Sequence, residues 1–278
     1  MNRIDAAFER LARHNAKALV GFVTAGDPDL DRSLRIIAAM CASGLDLLEL
    51  GVPFSDPTAD GPVIQRSSGR ALASGVGLAQ VLDMVAALRR QTQIPMVVFS
   101  YYNPILAYGA AAFHRDACKA GADGVLVVDL PPEESAELTD LWPDRGLCLI
   151  RLTAPTTPPQ RVRRIADAAS GFIYHVSHLG VTGGSGLRTD AIADKLQDLR
   201  AVTRLPVCVG FGISTPDQVA AVARMAEGVV VGSAFERLIE ENIDRPDLPE
   251  ILAGRVAELK RATHMPAPEG REPPTGGS

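Results

Sequence analysis

A single (β/α)8 barrel of the TIM type, preceded by an extra N-terminal helix, is the fold that this 278-residue chain predicts. Short runs rich in Val, Ile and Leu alternate with longer stretches of helical period, the pattern of repeated βα units on a parallel sheet. Eight such runs fit on about 250 residues, the usual size of a closed barrel. The first run is followed by Thr24-Ala-Gly-Asp-Pro28. An open dinucleotide-binding sheet would instead place G-x-G-x-x-G there, with an acid about twenty residues later.

The predicted strands are 18–23, 46–50, 95–99, 124–128, 147–151, 171–176, 206–210 and 227–231. Predicted helical segments include Leu30 to Ser43, Leu78 to Gln91, Glu133 to Leu141, Gln160 to Ala168, Ala191 to Val202 and Thr215 to Met225, each opening near a turn or capping residue. A further helix around Asp5 to His14 stands outside the eight units and is expected to plug the barrel bottom. Residues 1–265 are assigned to the barrel domain. The remainder, 266–278, has too few apolar side chains to offset the entropy of ordering it and is expected to be a disordered tail.

The apolar fraction is 46% and the charged fraction 22%, close to soluble globular averages. No apolar stretch reaches the roughly 18 residues that span a bilayer, and the N-terminus lacks the features of a signal peptide, so a cytoplasmic protein without a membrane partner is expected. The net charge of −5 comes without the basic stripe that a phosphate backbone requires, which argues against nucleic acid. Cys41, Cys118, Cys148 and Cys208 are widely spaced with no local His partner. They read as reduced structural thiols, and no metal site is predicted.

Two carboxylates suggest the chemistry. Glu49 ends the apolar run Leu45-Asp-Leu-Leu-Glu-Leu50, and Asp60 lies on the loop that follows. In a barrel the working face is built from strand C-termini and their loops. An acid inside an apolar strand end is desolvated, so its pKa rises to where it can both take and give protons near neutrality. Glu49 is therefore the predicted general acid/base; a structural acid held by a Lys or Arg elsewhere in the barrel is the other reading. Asp60 alone also reads as a turn residue, because Asp-Gly is a common turn dipeptide. Its loop carries Pro53, Pro57, Gly61 and the aromatic Phe54, which suits a rigid element serving substrate and partner at once.

Three later strands are each followed by glycine-bearing turns: Gly180-Val-Thr-Gly-Gly-Ser-Gly186, Gly210-Phe-Gly-Ile-Ser214 and Gly232-Ser-Ala234. Each alone is ordinary turn geometry. Together on one rim they predict a phosphate cup of backbone N–H groups, with Ser233 adding a hydroxyl. The loop from Ser177 to Gly186 is long enough to act as a lid, and His178 within it reads as a solvated group or as one titrating near neutrality. Tyr174 shares a strand face with Phe172 and Val176, which places its ring in the core; its hydroxyl reaching the site is one reading, and core packing alone is the other.

The motifs Phe22-Val-Thr-Ala-Gly-Asp-Pro28, Leu48-Glu-Leu-Gly-Val-Pro-Phe-Ser-Asp-Pro-Thr-Ala-Asp-Gly-Pro62, Tyr102-Asn-Pro-Ile105, Asp129-Leu-Pro131, Ala154-Pro-Thr-Thr157, Gly180-Val-Thr-Gly183, Gly210-Phe-Gly-Ile-Ser214 and Val231-Gly-Ser-Ala234 resemble those of the tryptophan synthase alpha subunit family, over roughly residues 15 to 240. The second motif is highly specific. The resemblance implies retro-aldol cleavage of indole-3-glycerol phosphate to indole and glyceraldehyde 3-phosphate, with no cofactor in this chain. It assigns Glu49, Asp60 and Tyr174 to the catalytic site. It assigns Phe22, Ile64, Leu126, Thr182 and Phe211 to the substrate pocket, and Gly183, Gly212, Gly232 and Ser233 to the phosphate. It also implies an alpha2beta2 assembly with a pyridoxal-phosphate-bearing beta subunit that receives the indole, and places Pro53, Asp56, Tyr102 and Asn103 near that interface.

The lid departs from the family pattern. Many members carry Arg where this chain has His178, and Gly-Gly-Ser-Gly186 is unusually rich in glycine, which raises the cost of ordering the loop. Besides the coupled lyase, three readings fit part of the sequence: a free-standing indole-releasing lyase, a partner-binding regulator with weakened turnover, and a sugar-phosphate isomerase on a similar barrel. The last gives no role to an indole-sized apolar pocket.

Overall fold

A computed structural model of the chain describes residues 2–142, 146–177 and 189–264, without the side chains of 189–191. Its strands are β1 (Ala18–Thr24), β2 (Leu47–Gly51), β3 (Met96–Ser100), β4 (Gly124–Val127), β5 (Cys148–Thr153), β6 (Ile173–Val176), β7 (Val207–Gly210) and β8 (Gly228–Val231). They pair in parallel in chain order, and β8 returns to β1 through Ala18 opposite Gly228. The predicted closed barrel is the observed one. β5 runs on to Thr153, two residues past its predicted end, because Arg151, Leu152 and Thr153 find register partners in Ile173, Tyr174 and His175 of β6.

The helices are α1 (Arg3–Arg13), α2 (Leu30–Ala42), α3 (Pro62–Ala73), α4 (Leu78–Arg89), α5 (Tyr102–Tyr108), α6 (Ala110–Ala120), α7 (Ala136–Thr139), α8 (Pro159–Asp167), α9 (Thr189–Arg200), α10 (Pro216–Ala223), α11 (Ser233–Glu241) and α12 (Leu248–Ala262). Of these, α3, α5, α6, α11 and α12 stand beyond the predicted segments. The single helix expected over Glu133 to Leu141 is corrected: a 3-10 turn at Pro132–Glu134 leads into the four-residue α7. Pro131 and Pro132 supply no N–H to a helical ladder, and the buried Arg151 holds the turn by donating to the Leu130 carbonyl at 2.8 Å.

Strand alternation sorts the apolar residues into two layers. Outward-facing Leu48, Leu50, Val98, Val125, Ile173, Val209 and Val229 pack under the helices. Inward-facing Val20, Leu47, Val97, Leu126, Ile150, Phe172, Cys208 and Val230 fill the barrel. Helix α1 plugs the bottom as expected, sending Ile4, Phe8 and Leu11 into that inner layer, with the Phe8 ring 5.8 Å from that of Phe172. Asn2 caps the plug by accepting the Ile4 N–H at 2.9 Å. Asp123 ties the bottom together, bound by Arg3 at 2.9 Å, Arg89 at 2.7 Å and the Met96 N–H at 2.9 Å. With the bottom filled, the open volume of the barrel lies at the C-terminal ends of the strands.

Candidate active site

Glu49 sits on the inward face of β2, flanked in register by Phe22 of β1 and Val97 of β3. It is fully buried, and neither carboxyl oxygen has a hydrogen-bond partner among the described residues. The reading of Glu49 as an acid held by a Lys or Arg therefore fails there. Burial among apolar neighbours disfavours the charged form and pushes its pKa up to about 8. Such a carboxyl exchanges its proton readily near neutral pH.

A cavity of about 390 Å³ opens beside Glu49, within the size range of small-molecule sites. It gathers nearly all the predicted residues: Asp60 from the β2–α3 connection and Ile64 from the first turn of α3, Phe22 and Tyr174 from within β1 and β6, Phe211 and Gly212 just after β7, and Gly232 and Ser233 just after β8. A second compartment of about 600 Å³ shares Asp60, Phe99, Tyr174 and Phe211 with it. Leu126 is the exception. It is fully buried in the inner barrel layer, and the second compartment is reached instead by Val127, the last residue of β4, and by Val128 after it. Thr182, Gly183, His178 and the lid beyond Ser177 lie outside the described residues, as does the tail 266–278.

Asp60 is held by a residue that the sequence reading passed over. Tyr101, at the end of β3, donates its hydroxyl to Asp60 Oδ2 at 3.1 Å and accepts the Ala59 N–H at 2.9 Å. Phe54 packs on the Tyr101 ring at 5.1 Å, so the aromatic of this loop is a support. Burial raises the Asp60 pKa above its ordinary value, and the Tyr101 hydroxyl lowers it.

Tyr174 extends its ring over Gly210: a Cβ at Gly210 would lie 2.3 Å from the Tyr174 oxygen. Burial, then the Glu49 charge, raises the phenol pKa well above its ordinary range, so the hydroxyl stays protonated. Phe22 meets the Phe99 ring edge-on at 5.1 Å and lies against Gly51 and Gly232, where no side chain fits without displacing it. At the end of β7 the backbone takes positive φ twice in succession, 94° at Phe211 and 73° at Gly212. This strain presents Phe211, 45% exposed, at the cavity mouth.

The phosphate end is formed by Gly212, Gly232 and the start of α11. Gly232 occupies the N-cap position without a side-chain cap, which leaves first-turn amides and the positive end of the helix dipole for an anion. Arg237, one turn into α11, lines the same cavity and makes no ion pair among the described residues. The sequence reading passed it over because an Arg on an amphipathic helix resembles any solvated charge.

A family model described as "Tryptophan synthase alpha chain" matches residues 8–264. The chain belongs to the tryptophan synthase alpha chain family. It is 63% identical over 265 residues to the tryptophan synthase alpha chain of Desulfosudis oleivorans, covering 95% of this chain and all of that one. It is 60% identical to that of Desulfatibacillum aliphaticivorans, over 95% of this chain and 99% of the relative. Among solved structures, subunit alpha of tryptophan synthase from Legionella pneumophila superposes with a TM-score of 0.88 at 38% identity, covering 95% of this chain and 98% of that one. A Mycobacterium tuberculosis tryptophan synthase superposes at 0.86 and 35%, covering 95% and 99%.

Membership in the tryptophan synthase alpha chain family implies a beta-subunit partner. Of the residues expected near it, Asp56 and Asn103 are exposed, Tyr102 is half-buried and Pro53 is buried. Tyr102 is tied down by its N–H, which donates to Asp129 at 2.7 Å. Leu106, on the same short helix as Asn103, is 57% exposed, an apolar side chain on this rim that the sequence reading did not single out.

Proposed function

We propose that Glu49 and Asp60 perform the reaction of this carbon–carbon lyase family, the cleavage of indole-3-glycerol phosphate to indole and glyceraldehyde 3-phosphate in tryptophan biosynthesis. The observation that carries the assignment is Glu49 itself: a fully buried carboxyl without a partner among the described residues, lining a cavity that also has a phosphate-type rim.

The chemistry needs one group that acts twice. Protonated Glu49 gives its proton to indole C3, making an indoleninium whose positive charge is shared with the ring nitrogen. The resulting Glu49 carboxylate takes the proton from the neighbouring side-chain hydroxyl. The C3–C bond breaks as that oxygen becomes the aldehyde, and the bonding pair restores the aromatic ring. Glu49 ends protonated, so protons and electrons balance within the site and no cofactor enters; pyridoxal phosphate is expected only in the beta partner. Asp60 accepts the indole N–H and favours the cationic intermediate. Tyr174 places a neutral hydroxyl beside Glu49.

Phe22, Ile64, Phe99 and Phe211 suit the apolar ring, and the amides around Gly212, Gly232 and Ser233 suit the phosphate, with Gly183 and Thr182 as further contacts. Arg237 adds a cation at that end. Leu126 shapes the pocket from the layer beneath. The Pro53 to Asp60 loop, with Tyr102 and Asn103, forms the face towards the beta subunit in an alpha2beta2 assembly. A cytoplasmic location goes with this biosynthetic reading. Separately, among the described residues no single helix is long and apolar enough to cross a membrane.

The test is indole release from indole-3-glycerol phosphate by the purified chain, alone and with a cognate beta subunit. Slow release that rises sharply with the partner supports the coupled lyase. Fast release that the partner leaves unchanged replaces it with a free-standing lyase, and no release in either case overturns the reaction.

A further inference from the structure

Beneath the phosphate end, Glu236 lies on the first turn of α11 and is fully buried. Its Oε1 accepts the Thr24 N–H at 2.6 Å, while Oε2 is buried with no donor to it among the described residues, and the Asp27 and Ser67 side chains lie beside the carboxyl. A charged carboxylate with one oxygen left bare in the core is costly. The neighbourhood makes the charged form worse, because Asp27 is also buried and adjacent. Desolvation and then the Asp27 charge hold the Glu236 pKa well above its ordinary range. Asp27 already receives both arms of Arg70, Nε at 2.7 Å and Nη2 at 2.8 Å. A protonated Glu236 resolves the unmatched oxygen, since its Oε2–H faces a carboxylate able to accept it.

The same residue connects to the other end of the cavity. Ser67 of α3 donates to the Ile64 carbonyl at 2.9 Å, so its oxygen is left to accept the Thr24 hydroxyl at 2.7 Å. Thr24 in turn gives its N–H to Glu236. Three hydrogen bonds thus run from Ile64, at the apolar end, to the helix that opens with Ser233. On the outer side, Arg70 also binds Glu240 at 3.0 Å, and Arg66 binds Glu240 through two contacts of 2.7 Å, again joining α3 to α11. Phe22, two residues before Thr24, packs against Gly232. A shift of α11 relative to β1 would therefore disturb the phosphate turn and the aromatic wall together.

We propose that Glu236 is a positioning residue that works as a neutral acid, accepting from Thr24 and donating to Asp27, and so holds the phosphate-binding helix in register with the indole-binding helix α3. The role rests on the lyase reading above, but its test does not depend on turnover alone. Glu236→Gln preserves both hydrogen bonds, one as acceptor and one as donor. Glu236→Leu keeps the volume and removes both.

In the full-length chain, glycerol 3-phosphate binding measured by calorimetry reports the phosphate end even if indole-3-glycerol phosphate proves not to be the substrate. The expected result is binding within about twofold of wild type for Glu236→Gln and at least tenfold weaker for Glu236→Leu. In the lyase assay KM should rise for Glu236→Leu by more than kcat falls. Should Glu236→Leu fail to fold, Ser67→Ala cuts the same chain at a milder point and should weaken glycerol 3-phosphate binding by about threefold. Wild-type binding by folded Glu236→Leu overturns the proposal, as does wild-type binding by Ser67→Ala where it is the variant that folds. So does a loss in Glu236→Gln equal to that in Glu236→Leu, which would mean that the charge is what matters. Absent wild-type turnover with normal glycerol 3-phosphate binding would instead count against the lyase reading alone.

Discussion

Tyr101 and Asp60 share a hydrogen bond of 3.1 Å between the phenol oxygen and Oδ2, and the same phenol fixes the loop backbone at Ala59. The Asp60 carboxylate is therefore held from the residue that follows β3, while its backbone N–H stays within its own loop, on the Pro57 carbonyl at 3.0 Å. Tyr101→Phe should retain the fold and lower kcat/KM by about tenfold, near the value of one hydrogen bond to a charged group. Losing the hydroxyl also removes an influence that lowers the Asp60 pKa, so the acid limb of the pH–rate profile should move to higher pH. A profile that does not move would remove Tyr101 from the site's support.

Glu49 sets the other limb. Its pKa rises from an ordinary value of 4.5 to about 8, and the step that protonates C3 needs its acid form. Turnover should therefore fall as pH rises through about 8, which steady-state rates between pH 6 and pH 9 would reveal.

The same shift carries a stability signature. A carboxyl that binds its proton more tightly when folded favours the folded state fully below its unfolded pKa. That contribution declines as pH rises and is gone above the folded pKa, at a slope of up to about 1.4 kcal/mol per pH unit. For Glu49 the window runs from about 4.5 to about 8. Glu49→Gln cannot ionise, so urea unfolding should show it gaining on the wild type by about 3 kcal/mol between pH 5 and pH 8. Equal slopes for the two proteins would show that burial does not hold the proton on Glu49.

Gly210 is required by the Tyr174 ring. Gly210→Ala should displace the ring and cost roughly 1–3 kcal/mol of stability, the usual penalty of overpacking. A larger fractional loss in kcat than in substrate affinity would place Tyr174 at the reacting end.

Arg237 lines the phosphate end as an exposed cation. Arg237→Ala should raise KM for the phosphorylated substrate several-fold with little change in kcat, and the difference from wild type should shrink in high salt as screening removes the attraction.

Much of this site was legible because its chemistry is local. Glu49 stands out as an acid inside an apolar strand, and the glycine-bearing turns follow three successive late strands. Tyr101 was missed because its partner Asp60 is 41 residues away and an aromatic at a strand end resembles core. Glu236 was hidden for the opposite reason: an acid on the first turn of a helix is expected to favour the dipole from solvent, and only the packing of α11 on β1 and α3 reveals it as buried. Leu126 has the inward alternation of a pocket residue, but period alone does not say which layer of the barrel it fills. The helix expected at Glu133 followed from its apolar spacing, while the prolines before it and the Arg151 tether decided the local geometry.

The most direct measurement is indole release by Glu49→Gln in the presence of a cognate beta subunit, alongside its binding of glycerol 3-phosphate. The predicted result is a loss of turnover of at least a thousandfold with phosphate binding within about twofold of wild type, since Gln fills the same space but neither gives nor takes the proton. Turnover within tenfold of wild type would contradict the assignment of Glu49 as the acid/base and, with it, the mechanism.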